Sequence, residues 1–142
     1  MVERIDRSNR TREAGTSIVE MTIVLPLLLL LVFAIGDFGI AYTRWVSLTN
    51  AAREGARVGV VFRNPCDAGT VENQIRTTVA DFADSSGVDP ATINTTIVGT
   101  CLGTGTQLEV RATAPYNYLA LSALAGFAPT INLSARTVMR NE

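Results

Sequence analysis

The feature that most constrains this chain is an uncharged, mainly apolar run over Met21–Gly36. Its five consecutive leucines, Leu27–Leu31, make it apolar on every face of a helix, whereas a surface helix of a soluble domain keeps a polar face. A bilayer span needs roughly 20 mainly apolar residues. Widening the run to Ile18–Tyr42 adds only two carboxylates, Glu20 and Asp37. The sequence therefore predicts a membrane-spanning helix over about 18–42.

Composition narrows the classes of function. The chain has 142 residues, a net charge of −1 and no histidine. A nucleic-acid binder usually carries a clear basic excess, and histidine is the commonest general base and metal ligand. The sequence also lacks an activated nucleophile, a phosphate-binding loop and a calcium loop. We therefore expect no enzyme activity, no cofactor, no metal and no nucleic-acid partner.

The apolar run can be read as a removable signal peptide or as a retained anchor. Four arginines precede it, as in a secretory signal, and Gly39-Ile40-Ala41 is a loose small-x-small cleavage site. Two features favour retention. Glu20 lies inside the apolar stretch, and no proline interrupts the helical pattern from Leu27 to Asn64. We therefore interpret residues 16–62 as one long helix, with Tyr42 and Trp45 near the outer membrane interface.

A glycine lies just before the predicted start of this helix, and a glutamate lies in its first two turns. A short polar leader ends at Gly15, and Glu20 is the fifth residue after it. This spacing resembles the processing site of type IV pilin-like proteins, in which a membrane peptidase cuts after the glycine. The resemblance implies a cytoplasmic leader over residues 1–15 and a new N-terminus at Thr16. Most pilins begin with phenylalanine, so Thr16 leaves N-methylation open, and the alternative is a chance glycine and glutamate beside an ordinary anchor.

Glu20 has a physical meaning of its own. An ionisable residue costs about 2.5–3.5 kcal/mol at the centre of a spanning helix and less near its edge, so it marks a functional site by default. A liberated amine at Thr16 would be largely cationic at neutral pH. It could pair with Glu20 of the same chain or of a neighbouring subunit, and the second arrangement would set axial register. The alternative is that Glu20 reaches the headgroups.

Further segments resemble the TadE-like proteins of tight-adherence (Tad or Flp) pilus systems. They are Leu25-Pro26-Leu27, Gly36–Gly39, Asn50–Arg57 and Leu133–Arg140. The resemblance implies a pseudopilin that assists assembly of an adhesion pilus from the bacterial inner membrane. The implied partners are a prepilin peptidase, other pilin or pseudopilin subunits, the inner-membrane assembly platform and the lipid bilayer. The alternative function is a membrane-anchored extracytoplasmic binding domain unrelated to pili, with a ligand held by the loops around the two cysteines.

Small residues recur at helical spacing beyond the apolar run. Ala51, Gly55 and Gly59 lie four apart, as do Ala52 and Ala56, so each set shares a helical face. Small side chains at this spacing let two backbones approach closely. We therefore expect a helix-packing face there, on a helix that lies half in the bilayer and half against a small domain.

Cys66 and Cys101 are the only two cysteines. A pair this far apart suits neither a redox motif nor a zinc site without histidine. Outside the membrane they would form a disulfide that contributes about 3–4 kcal/mol, whereas two free buried thiols in a cytosolic domain are the alternative. The cysteines and the short leader favour a cytoplasmic N-terminus and an extracytoplasmic domain over residues 63–142.

That domain is expected to be α+β. Apolar residues at three- and four-residue spacing predict a second, amphipathic helix over about 70–83, on Val71, Ile75, Val79 and Phe82. Alternation and turn residues predict a hairpin from 92–100 and 107–113, a helical turn or packed loop at 115–128, and a last strand at 130–140. The fold class is thus a long membrane-spanning helix packed on a small antiparallel sheet with a second helix.

Overall fold

The computed structural model of the protein describes residues 3–61, 63–118, 122 and 130–141. Two helices precede three strands, with a short 3-10 turn between the helices and the sheet. The elements are α1 (Glu3–Gly59), α2 (Ala68–Asp84), the turn Pro90–Thr92, β1 (Asn94–Val98), β2 (Gln107–Asn117) and β3 (Thr130–Arg140). The predicted α+β class, with a long N-terminal helix, a second helix and an antiparallel sheet, is confirmed.

The long helix has two halves that differ in exposure. Every side chain from residue 17 to 36 is exposed, and the first buried one is Asp37. From there to Gly59 one stripe of the helix is buried against the rest of the chain. We call residues 17–36 the free half and residues 37–59 the packed half. Pro26 lies inside the free half without ending the helix.

The second helix packs against the packed half. It begins after Asp67, whose side chain accepts a hydrogen bond from the backbone N–H of Gly69 (3.2 Å), as expected of a helix N-cap. Its buried residues are Val71, Ile75, Val79 and Ala83. Phe82 is exposed, so the prediction that it joins the buried face was wrong. The close approach of two helices leaves room for the small Ala83 rather than the large ring.

The sheet is antiparallel with the strand order β1-β2-β3. Alternate residues of β2 are buried beneath α1, namely Leu108, Val110, Ala112, Ala114 and Tyr116. The prediction of a helical turn or loop from residue 115 was wrong for 115–117, because β2 continues to Asn117. β1 begins at Asn94, opposite Thr113, so β2 is an edge strand at Pro115 and tolerates the missing N–H. Residues 119–121 and 123–128 of that predicted element lie outside the described residues.

Candidate membrane anchor and assembly region

The free half of α1 has the dimensions of a bilayer span. An 18-residue window of α1 has a mean hydropathy of 2.8, and none of it is buried within the chain. Residues 17–36 rise about 30 Å, which matches the roughly 30 Å hydrocarbon core of a bilayer. Within the part of the chain that the structure describes, α1 is a possible single membrane span. Its exposed leucines are not covered by the core of this chain.

Glu20 lies near the start of the free half, and its side chain is exposed. Because α1 runs continuously through residues 15–20, Thr16 is one turn before Glu20 on the same side of the helix. The side-chain surroundings of Gly15 and Thr16 lie outside the described part of the chain. The helix therefore places the predicted cleavage point one turn from the predicted register residue.

A buried junction joins α1 to the sheet where the free half ends. Asp37 is only 4% exposed, and its backbone carbonyl accepts a hydrogen bond from the hydroxyl of Tyr116 (3.2 Å), 79 residues away. The Arg44 guanidinium carbon lies 5.3 Å from the centre of the Tyr116 ring. Burial, followed by the negative charge of Asp37, raises the pKa of the Tyr116 hydroxyl, so this phenol stays protonated and can donate. Sequence reasoning missed this junction, because the bond uses the backbone carbonyl of Asp37 and no local pattern marks it.

Three aromatic residues continue along α1 from this junction. Phe38, Tyr42 and Trp45 follow one another at four- and three-residue spacing, with ring centroids 6.5 and 5.9 Å apart. All three rings are exposed, from 70% for Phe38 to 41% for Trp45. The indole N–H of Trp45 donates to the backbone carbonyl of Ser134 on β3 (3.1 Å). We call these three residues the aromatic ladder, which lies on α1 and contacts the sheet through Trp45.

The small residues of α1 are used inside the chain. Ala51, Ala52 and Ala56 are fully buried. A Cβ atom on Gly55 would lie 2.6 Å from Val79 Cγ2, and one on Gly59 would lie 2.5 Å from Leu108 Cδ2. The small-residue face therefore packs against α2 and β2 of its own chain, and these contacts occupy it.

Cys66 and Cys101 form a disulfide that joins the segment after α1 to the turn between β1 and β2. A cavity of about 180 Å³ lies beside the bond, and Arg63 is the charged residue among the side chains that line it. Arg63 donates to the carbonyl of Val58 (3.2 Å) and to the side chain of Gln74 (3.1 Å). In the described ranges, no cluster of three or more potential metal ligands occurs.

One of three comparisons with known proteins finds a match, and it lies on α1. Residues 15–57 match the family model described as TadE-like protein. No curated protein and no solved structure matches the chain significantly. The match begins at Gly15, includes Glu20, the free half and the aromatic ladder, and ends within the packed half at Arg57. The predicted resemblance to the TadE-like family is therefore confirmed over residues 15–57.

Proposed function

We propose that this protein is a pseudopilin-like membrane protein that assists assembly of a Tad (Flp) pilus used for tight adherence. The TadE-like match links the chain to Tad pilus systems. The observation that carries the proposal is a single helix whose free half is long and apolar enough to span a bilayer and whose packed half forms the core of a folded domain. Such a helix can anchor a domain in the membrane and later carry it into or beneath a filament.

In this proposal, a prepilin peptidase cuts after Gly15 and removes residues 1–15. The mature chain begins at Thr16 and stays in the bacterial inner membrane through the free half. Its N-terminus faces the cytoplasm, and the domain over residues 63–142 lies outside. The disulfide between Cys66 and Cys101 supports this orientation, because disulfides persist in oxidising compartments.

Assembly then depends on the free half. The packed half is occupied by α2 and β2, so a neighbouring helix finds its apolar contact surface between residues 17 and 36. An exposed Glu20 in this surface can receive the amine of Thr16 from a neighbouring subunit. In a low dielectric this pair would compensate the cost of the carboxylate and set the axial register of the subunits.

The cleavage step is tested by determining the N-terminus of the membrane-bound protein in cells that assemble the pilus. We expect Thr16 as the first residue. A start at Met1, or a start near Tyr42, contradicts the proposed processing.

The role of Glu20 is tested with Glu20→Gln, which removes the charge and keeps the shape. We expect normal membrane insertion and a loss of piliation. Glu54→Gln is the matched control, because Glu54 lies on the same helix in an exposed pair with Arg57 (3.7 Å). Normal piliation of Glu20→Gln contradicts the role, and it is also what a membrane-anchored binding domain unrelated to pili would show.

A further inference from the structure

Three features of the chain meet at one level of α1. The free half ends at residue 36, the domain first contacts the helix at Asp37, and the aromatic ladder begins at Phe38. The ladder rises about 10 Å along the helix, enough to cross the roughly 5–8 Å headgroup region on one side of a bilayer. Aromatic rings with a polar edge are enriched at this depth of the membrane.

The domain is held at this level by contacts on two strands. Tyr116 on β2 donates to the carbonyl of Asp37, and Trp45 donates to the carbonyl of Ser134 on β3. Both contacts join α1 to the sheet, so the depth of the ladder in the bilayer also determines how far the domain lies from the membrane surface. Because the indole N–H is bonded to β3, the exposed part of the Trp45 ring is apolar.

Arg44 adds a charge at the same level. It is the first basic residue after Arg12, and its side chain is half-buried beside Tyr116. It borders a shallow cavity with Gly36, Gly39 and Thr43, at the outer end of the free half. A guanidinium there can contact the phosphate groups of lipids, which it binds with strong charge-assisted hydrogen bonds.

We propose that the aromatic ladder and Arg44 form a binding surface for phospholipid headgroups, and that the folded domain rests directly on the bilayer without a spacer. This inference depends on the membrane span of the proposed function. Before assembly the free half lies in the bilayer, so the ladder, which continues this exposed apolar surface, meets lipid rather than a second protein chain. It also revises the predicted span of 18–42, since residues 37–45 then lie in the headgroup region.

The single tryptophan of the chain makes this depth measurable. The full-length protein is reconstituted into phosphatidylcholine vesicles that carry bromine atoms either near the headgroups or near the bilayer centre. We expect headgroup-proximal bromines to lower the Trp45 emission about twofold and central bromines to have a weaker effect. Two control variants carry their tryptophan elsewhere in a Trp45→Phe background.

The controls lie deeper and shallower than Trp45. Phe33→Trp lies within the free half, about 18 Å inward of Trp45 along the helix, and we expect central bromines to quench it more than they quench Trp45. Leu102→Trp is an exposed site beside the disulfide, and we expect aqueous iodide to quench it while the brominated lipids do not. For Arg44→Glu, phosphate repulsion should weaken the lipid quenching of Trp45, whereas Arg44→Lys should retain it.

The outcomes separate this inference from the proposed function. If Phe33→Trp is quenched by lipid and Trp45 behaves like Leu102→Trp, the headgroup surface is wrong and the membrane span survives. If Trp45 is shielded from both lipid bromines and iodide, protein covers the ladder and the lipid assignment is overturned. If Phe33→Trp itself escapes lipid quenching, the span fails and this inference fails with it.

Discussion

The two halves of α1 reverse the usual relation between hydrophobicity and burial. In the free half, large leucines are exposed, with Leu27 at 71%, whereas in the packed half the fully buried residues are mainly alanines. In the proposed function the free half is surrounded by lipid, for which every face should be apolar. The packed half must fit α2 and β2 at short range, for which small side chains are required. In the packed half, burial therefore depends on side-chain size. In the free half, the exposure of large apolar side chains fits the lipid surroundings of the proposed function.

The largest effect is expected from destabilising the domain that covers the packed half. Reduction of the disulfide between Cys66 and Cys101 should cost about 4 kcal/mol of unfolding free energy, because it releases a closed loop with a sequence separation of 35. The measurement is denaturant unfolding of the full-length chain in detergent, with and without reductant. A double Cys66→Ala, Cys101→Ala variant should not respond to reductant. Identical unfolding of the oxidised and reduced protein contradicts this expectation.

The next test places the same substitution in each half. Leu48→Ala should cost about 3 kcal/mol of domain stability, because Leu48 is 1% exposed and its removal leaves a cavity in the core. Leu28→Ala should leave the domain unchanged, because the Leu28 side chain contacts no core. Unfolding midpoints of the two variants in the same detergent check the difference. Equal losses of stability would show that the free half also packs on the domain.

Adding a single methyl group to a glycine tests the fit of α1 against α2 with a smaller expected effect. Gly55→Ala should cost about 1–2 kcal/mol, since the new Cβ meets Val79 and Ile75 and the overpacking exceeds the gain in helix propensity. Gly39→Ala meets nothing within 4 Å and should be neutral or stabilising by up to about 1 kcal/mol. The unfolding free energies of the two variants are the readout. A neutral Gly55→Ala would mean that α2 can move away at little cost.

The smallest effect belongs to the solvent-facing side of the sheet, far from both halves. Hydrogen bonds from Arg136 (2.8 and 2.7 Å) hold the pKa of Glu109 below its ordinary value of 4.5. The folded state therefore favours the charged carboxylate. This stabilisation is present above about pH 4.5 and is lost as the pH falls through the folded-state pKa.

The measurement for this pair is a pH titration of stability with Glu109→Gln. We expect the variant to be slightly less stable than the parent at pH 7 and the difference to shrink as the pH falls below about 4.5. A difference that grows as the pH falls has the wrong sign and would contradict the assignment.

Local patterns were sufficient to predict several elements. The last strand, Thr130–Arg140, has the predicted bounds. The long helix ends at Gly59, three residues before the predicted end, but its predicted start at residue 16 was wrong, because the helix begins at Glu3. Errors arose where a distant partner decides the outcome. β2 extends through Pro115 because β3 pairs with it after β1 has ended, and Ala83 replaces Phe82 on the buried face because α1 lies close to α2.

The candidate site likewise has some features that the sequence predicts and others that depend on distant partners. Glu20 and the apolar run are visible in the sequence because their chemistry is local to one helix. The junction of Asp37 with Tyr116 joins residues 79 positions apart, and no local pattern indicates that pairing. Likewise, the spacing of Ala51, Gly55 and Gly59 predicts a close helix contact but does not identify the partner.

Hydropathy and periodicity act along the chain, so they were enough to predict a long apolar helix with an internal carboxylate ahead of a small α+β domain. Three further features required the folded chain: the point at which the free half ends, the covering of the small-residue face by α2 and β2 of the same chain, and the contacts of Trp45 and Tyr116 that join the helix to the sheet. Those outcomes depend on contacts between residues far apart in sequence, whose partners are defined only once the chain has folded.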